Sequence, residues 1–314
     1  MFLVIVGFVF FTGKTVAAEV NPVLKDAQQY INDTFARDVM YVAAVAAYAD
    51  NPEICLRNRL RGAYVISLKK MSTYYVENCK IIVVFRKYKA ECGPLPFTGL
   101  DYCYGYSALS DFHKAIILGF RGADHLIQFI MKDFQAIFEK KVSLLGGGKV
   151  GRYFHDAFNA VWTAGMYRDL IKLRKKYEDY EIWLTGHSLG GSMSAIAAHE
   201  IAANSLFDDC QIITVTFGEP RTGDMAFAVS HNKLVGLNRN MLTETLSLLY
   251  AKIWYNNSMD KGDEYRFCTK SESKRCSEGE LLNISPFDHF NYYKHDVREF
   301  ALHGCVRQDK EWFS

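Results

Sequence analysis

The sequence predicts an α/β fold built on a parallel sheet with crossover helices. Short continuous apolar runs occur at Lys80–Arg86, Ala115–Phe120, Glu181–Thr185 and Ile212–Phe217, each the length of a strand. An alanine-rich helical stretch, Gly191–Ala203, separates the last two. Strand, helix and strand in that order require a crossover connection, which places reactive groups at the carboxyl ends of the strands. The composition agrees with a folded protein. Of 314 residues, 49% are apolar and 14% aromatic, enough for a substantial core and too many for a disordered or collagenous chain.

The elements follow from residue pattern. Met1–Ala18 holds an apolar run, Phe2–Phe11, and ends in Val16-Ala17-Ala18, the small-residue pattern of a leader cleaved before Glu19. The run is shorter than the ~20 apolar residues of a membrane span, and no later stretch supplies one. The expectation is therefore a secreted, extracellular protein with no transmembrane segment. Val23–Ala49 reads as a helix because it is rich in alanine, lacks Gly and interior Pro, and stops before Asn51-Pro52. Lys80–Arg86 and Ala115–Phe120 read as strands covered on both faces, joined by loops bearing Cys, Gly and Pro. Gly151–Tyr180 has helical spacing, with Phe154, Phe158, Val161 and Trp162 on one face and a solvated charged tail over Lys172–Glu178. No linker, internal repeat or low-complexity tract is present, so residues 19–314 form one domain.

Lys and Arg number 37 against 35 Asp and Glu, a net charge of +2. Such a balance provides no single-sign field and excludes a dedicated nucleic-acid binder. The eight cysteines all follow the cleavage site, which fits four disulfides in an oxidising compartment. Spacing alone supports only the short Cys268–Cys276 pairing. No C-x-x-C knuckle or paired-histidine spacing occurs, so no metal site is expected. Asn32, Asn256 and Asn283 begin glycosylation sequons.

The strand Glu181–Thr185 runs into Gly186-His187-Ser188-Leu189-Gly190. This G-x-S-x-G pattern sets a serine on a tight strand-to-helix turn, with the outer positions free of side chains so that strand and helix can approach. A serine hydroxyl needs a histidine base, and that base needs an acceptor to fix its tautomer. His199 belongs to the helix after the serine. His289, in Asp288-His289-Phe290 near the chain end, occupies the place of the last triad member. Gly146-Gly147-Gly148-Lys149-Val150-Gly151 satisfies a dinucleotide-binding pattern, but no clear strand precedes it and no acidic partner follows; it reads as a loop hinge before the Phe154 helix, and no cofactor is expected.

Four blocks occur in one order: Phe120-Arg121-Gly122, Gly186 to Gly191, Phe217-Gly218-Glu219-Pro220-Arg221-Thr222-Gly223-Asp224, and Asp288-His289-Phe290-Asn291-Tyr292. In this the chain resembles the fungal-type class 3 lipases, from about Cys103 to Cys305. The resemblance implies an α/β-hydrolase fold, with a central, mostly parallel sheet and helices on both faces. It also implies a lipase-like ester hydrolase acting on a lipid or small ester, with Ser188 as nucleophile, His289 as base, and the backbone N–H groups of Ala123 and Leu189 as the oxyanion hole. Ala123 stands where the family usually has Thr or Ser. The family's triad Asp has no counterpart: Leu234–Lys252 contains no Asp and no Pro, and Met241–Lys252 reads as a helix. Glu244, the sole carboxylate of that segment, is the candidate it offers, and no acid is assigned. An alternative follows, a catalytically impaired lipid-binding or interaction protein on the same scaffold. Leu126, Ile130, Phe134 and Phe138 form an amphipathic pattern where the family has a lid, which fits either a cover that contacts a lipid interface or a fixed helix.

Overall fold

A computed structural model describes residues 6–7, 33–60, 82–95, 99–123, 140–235, 252–255, 257–268 and 289–306. Among these residues five strands form the central sheet, in the order β2 (Ile82–Leu95), β3 (Gly99–Ser110), β4 (Ala115–Phe120), β7 (Glu181–His187) and β8 (Ile212–Phe217). The ladders β4–β7 and β7–β8 are parallel, while β2–β3 and β3–β4 are antiparallel. The parallel half carries the site.

The apolar runs are continuous because alternate residues serve opposite faces. On β4, Ala115 and Ile117 join one hydrophobic cluster while Ile116, Leu118 and Phe120 join the other. Trp183 and its neighbours Ile182 and Leu184 divide in the same way on β7. Both crossovers step in one direction across the sheet, so right-handed connections place their helices on one face. Those helices are α4 (Arg152–Val161), α5 (Tyr167–Lys176) and α6 (Leu189–Ala203), packed through Phe154, Leu170 and Met193. The opposite face is covered by α1 (Asp33–Phe35), which continues through a π-helical stretch (Ala36–Met40) into α2 (Tyr41–Ala46), and by α8 (Val297–Leu302). Gly165, with φ of 129°, kinks the junction of α4 and α5.

Two disulfides are described. Cys55, in α3 (Pro52–Arg59), pairs with Cys305 across a sequence separation of 250, and Cys92 pairs with Cys103 between β2 and β3. Among the described residues no helix is long and apolar enough to cross a membrane, and no cluster of candidate metal ligands occurs.

Three expectations need correction. The stretch between the first two predicted strands is not only loop, since it contains β3, whose mixed Gly, Tyr and Ser composition hides its strand character. The Lys80–Arg86 run is not covered on both faces: β2 is the edge strand and exposes Val83 and Phe85. The glycine run is not a hinge but the turn of a hairpin between β5 (Lys141–Ser143) and β6 (Lys149–Gly151), with positive φ at Gly146, Gly147 and Gly148. Glu244, the amphipathic segment 126–138, Cys276 and the sequon residues Asn32, Asn256 and Asn283 lie outside the described residues. Lys252, the end of the expected Met241–Lys252 helix, opens the strand β9 (Lys252–Trp254), which pairs with β1 (Val6–Gly7) and β10 (Arg266–Cys268).

Candidate active site

Ser188 lies between the end of β7 and the start of α6, with φ of 58° and ψ of −126°. A positive φ on a residue with a β-carbon is strained and persists only where its surroundings enforce it. Here the enforcement is glycine. A β-carbon on Gly186 would overlap the carbonyl of Gly190, and one on Gly190 would overlap the carbonyl of Phe120. The Ser188 N–H donates to the Phe217 carbonyl at 2.8 Å, and the Gly191 N–H returns to the Ser188 carbonyl at 2.8 Å. The turn is thereby fixed to the end of β8 and to the first turn of the helix.

The loop after β4 runs directly against this turn. A β-carbon on Gly122 would lie 3.2 Å from the Ser188 β-carbon and 2.7 Å from the His187 carbonyl oxygen. Ala123 follows it and is buried, as is Leu189 at the first helical position. The structure thus brings the Phe-Arg-Gly-Ala loop and the elbow together, as the sequence order implied. Arg121 reinforces the loop, with its guanidinium 4.7 Å from the Tyr104 ring centroid and its N–H bonded to the Tyr104 carbonyl at 3.0 Å. Guanidinium over an aromatic face is a favourable contact.

His289 comes to the same end of the sheet. A β-carbon on Gly218, the residue after β8, would sit 3.1 Å from His289 Cε1 and 3.3 Å from Nδ1, so glycine is what admits the imidazole. Burial pushes the His289 pKa down to about 4. Its Nε2 is buried and has no hydrogen-bond partner among the described residues, so the Ser188–His289 bond needed for base catalysis is not closed. Such bonds often close only with substrate present.

Three further residues escaped sequence reasoning. Glu219 is buried beside Gly191, and its two carboxylate oxygens accept the Thr216 and Thr222 hydroxyls, each at 2.7 Å. The Thr222 hydroxyl lies 2.9 Å from that of Ser192. This carboxylate therefore buttresses the helix start. Its signal was the Phe-Gly-Glu-Pro-Arg block itself. His187 stands within the elbow motif, and Tyr48, after α2, reaches it with its hydroxyl 2.7 Å from Nδ1. Nothing in the sequence around Tyr48 marks that contact.

A positive-φ serine at a strand-to-helix elbow, backed by a close glycine loop and a late histidine on a partly parallel sheet, is an arrangement that the α/β-hydrolase fold accommodates. The family profile described as Lipase (class 3) matches residues 117–245. The Caenorhabditis elegans protein named Lipase ZK262.3 is 26% identical over 245 residues, covering 65% of this chain and 68% of the relative. A Malassezia restricta protein named Secreted mono- and diacylglycerol lipase LIP4 is 38% identical over 71 residues, 23% of each chain. The solved triacylglyceride lipase of Rhizomucor miehei has a TM-score of 0.58 at 20% identity, over 85% of this chain and 97% of that one, which shows the shared fold. Over these residues the chain is similar to class 3 lipases, and it shares their fold.

Proposed function

We propose that the chain is a secreted serine ester hydrolase that cleaves acyl esters of the triacylglycerol class, with residues 1–18 as its leader and 19–314 as one domain. The observation that carries the reading is the strained Ser188 elbow packed against Gly122. In this reading the Ser188 hydroxyl attacks the acyl carbonyl carbon as His289 takes its proton. The resulting oxyanion is held by the N–H groups of Ala123 and Leu189. The intermediate collapses to an acyl-Ser188 ester, and His289 returns the proton to the departing alcohol. Water then attacks the acyl group, with the same histidine as base, and releases the carboxylic acid. No cofactor takes part.

A second reading is favoured by one specific feature, the lack of an assigned acid for His289. Glu219 is engaged by two hydroxyls, and buried Asp169 is paired with Arg86 at 2.7 Å. A chain without a triad acid would retain the fold and lose roughly 10⁴-fold in turnover, leaving a lipid-binding or interaction role. Hydrolysis of a chain-length series of p-nitrophenyl esters, with Ser188→Ala alongside, separates the two. Turnover abolished in Ser188→Ala supports the hydrolase. Turnover equal in both proteins supports the binding role. Amino-terminal sequencing of the exported protein tests the leader, with Glu19 the expected first residue.

A further inference from the structure

The residue before the candidate nucleophile anchors a buried hydrogen-bond chain that the reaction above does not use. His187 has no exposed surface. Its ring lies among those of Tyr48, His289, Phe290 and Tyr292, with centroids 5.8, 4.8, 5.7 and 5.5 Å away. Both nitrogens are engaged, Nδ1 with the Tyr48 hydroxyl at 2.7 Å and Nε2 with the His289 backbone carbonyl at 2.8 Å. A carbonyl oxygen only accepts, so Nε2 carries the hydrogen. Burial, with the neighbouring His289 and Arg298, opposes a second proton on the ring. Nδ1 therefore presents its lone pair, and the Tyr48 O–H donates to it. The direction of the chain is fixed: Tyr48 to His187 to the His289 carbonyl.

The chain joins all the parts that must hold register. The Tyr48 hydroxyl also abuts Gly122, where a β-carbon would overlap it, so the phenol touches the oxyanion loop. His187 is continuous with Ser188. His289 is the candidate base. In a triad, an acceptor on Nδ1 orients the base from its side chain. With that carboxylate unassigned, the backbone tether carries more of the positioning.

We propose that His187 is a positioning residue that holds His289 by its carbonyl beside Ser188, and that Tyr48 sets the tautomer in which it can do so. The proposal rests on the reading of Ser188 and His289 as nucleophile and base. Misplacing a reacting group by about 1 Å costs on the order of 10²-fold, so His187→Leu should lower kcat about 10- to 100-fold with KM little changed.

The test uses the full exported chain, p-nitrophenyl butyrate, and the variants His187→Leu, His187→Gln, His187→Asn and Tyr48→Phe. A glutamine amide reaches the place of Nε2 and can donate to the His289 carbonyl, whereas an asparagine amide reaches only the place of Nδ1. Recovery of kcat in His187→Gln but not in His187→Asn supports the tether, because a merely space-filling role would not rank them so. Nitrogen-15 spectra of labelled histidines in the parent should show the Nε2–H tautomer for His187, and Tyr48→Phe should disturb it if His187→Leu does not fold. An active parent with kcat within twofold in His187→Leu, or an Nδ1–H tautomer in the parent, overturns the proposal and leaves the hydrolase reading standing. A parent without Ser188-dependent hydrolysis overturns both.

Discussion

Gly122 and Ser188 are in contact through space that only a glycine leaves open, since a β-carbon on Gly122 would lie 3.2 Å from that of Ser188 and 2.7 Å from the His187 carbonyl oxygen. The same β-carbon would overlap the Tyr48 hydroxyl. Gly122→Ala must therefore move the loop or the elbow. Overpacking of this kind costs about 1–3 kcal/mol in stability. Displacing an oxyanion donor costs roughly 10²- to 10³-fold in turnover. The expected result is a folded protein, by circular dichroism and denaturant titration, whose labelling by a serine-directed phosphonate is slowed by at least 10²-fold.

The protonation of His289 reports on whether a carboxylate faces it. Burial holds its pKa down at about 4, below the usual ~6.5 of histidine. A base must be neutral to act, so activity should rise with pH through about 4 and stay level from pH 6 to 8. A carboxylate on Nδ1 would favour the imidazolium and lift that limb. The pH profile of kcat/KM distinguishes the cases, and a limb between pH 6 and 7 would show that an acid faces His289 after all.

The parts legible in the sequence were those with local causes. Ala115–Phe120 and Ile212–Phe217 are apolar because both faces of their strands are covered, and the elbow is written in Gly186, Ser188 and Gly190. The strand Gly99–Ser110 was not legible. Its buried Ser107 is satisfied by the Tyr88 hydroxyl at 2.8 Å, a partner 19 residues away that lets a polar residue stand where the pattern asks for an apolar one. Tyr48 is a similar case, meeting His187 across 139 residues, a contact made by the fold and marked by no spacing. His289 is singled out in the sequence only by its order in the chain.

A second pair of buried histidines should make the protein sensitive to acid. His231, in α7 (Met225–Val235), stacks on His199 of α6 at 5.8 Å. Burial, with the neighbouring His199, lowers its pKa to about 3. The His199 side chain also meets the Leu145 carbonyl at 2.7 Å, at the glycine hairpin. Between pH 6.5 and 3 the unfolded chain binds more protons than the folded one, so stability falls as pH falls. For His231 alone the loss at pH 5, relative to pH 7, is about 2 kcal/mol. Urea titrations at the two pH values should show this loss in the parent and a smaller one in His231→Gln.

The disulfides should differ in worth. Cys55–Cys305 closes a separation of 250 residues and Cys92–Cys103 one of 11. Chain entropy assigns about 5 kcal/mol to the first and about 3 kcal/mol to the second. Removing each as a double alanine variant should destabilise in that order, read as the urea midpoint at constant slope. A larger loss from Cys92–Cys103 would mean that the β2–β3 edge depends on its bridge for more than entropy.

Asp169 offers a contrast between breaking a buried ion pair from inside and from outside. Its side chain has no exposure and takes Arg86 Nε at 2.7 Å, the Tyr88 hydroxyl at 3.0 Å and Lys172 at 3.7 Å. The Arg86 side chain is 44% exposed. Asp169→Ala removes the buried charge itself and leaves Arg86 partly solvated and the Tyr88 hydroxyl with Ser107, a loss of about 1–3 kcal/mol. Arg86→Ala leaves the fully buried carboxylate with only the Tyr88 hydroxyl and the more distant, exposed Lys172 at 3.7 Å. Its cost should therefore be larger, about 3–5 kcal/mol. Because the cluster ties β2 to α5 on the sheet's far side from Tyr48 and α2, both variants should keep the phosphonate reactivity of Ser188 at temperatures where they remain folded. Equal destabilisation by the two substitutions would show that Lys172 and the Tyr88 hydroxyl compensate the buried carboxylate once Arg86 is gone.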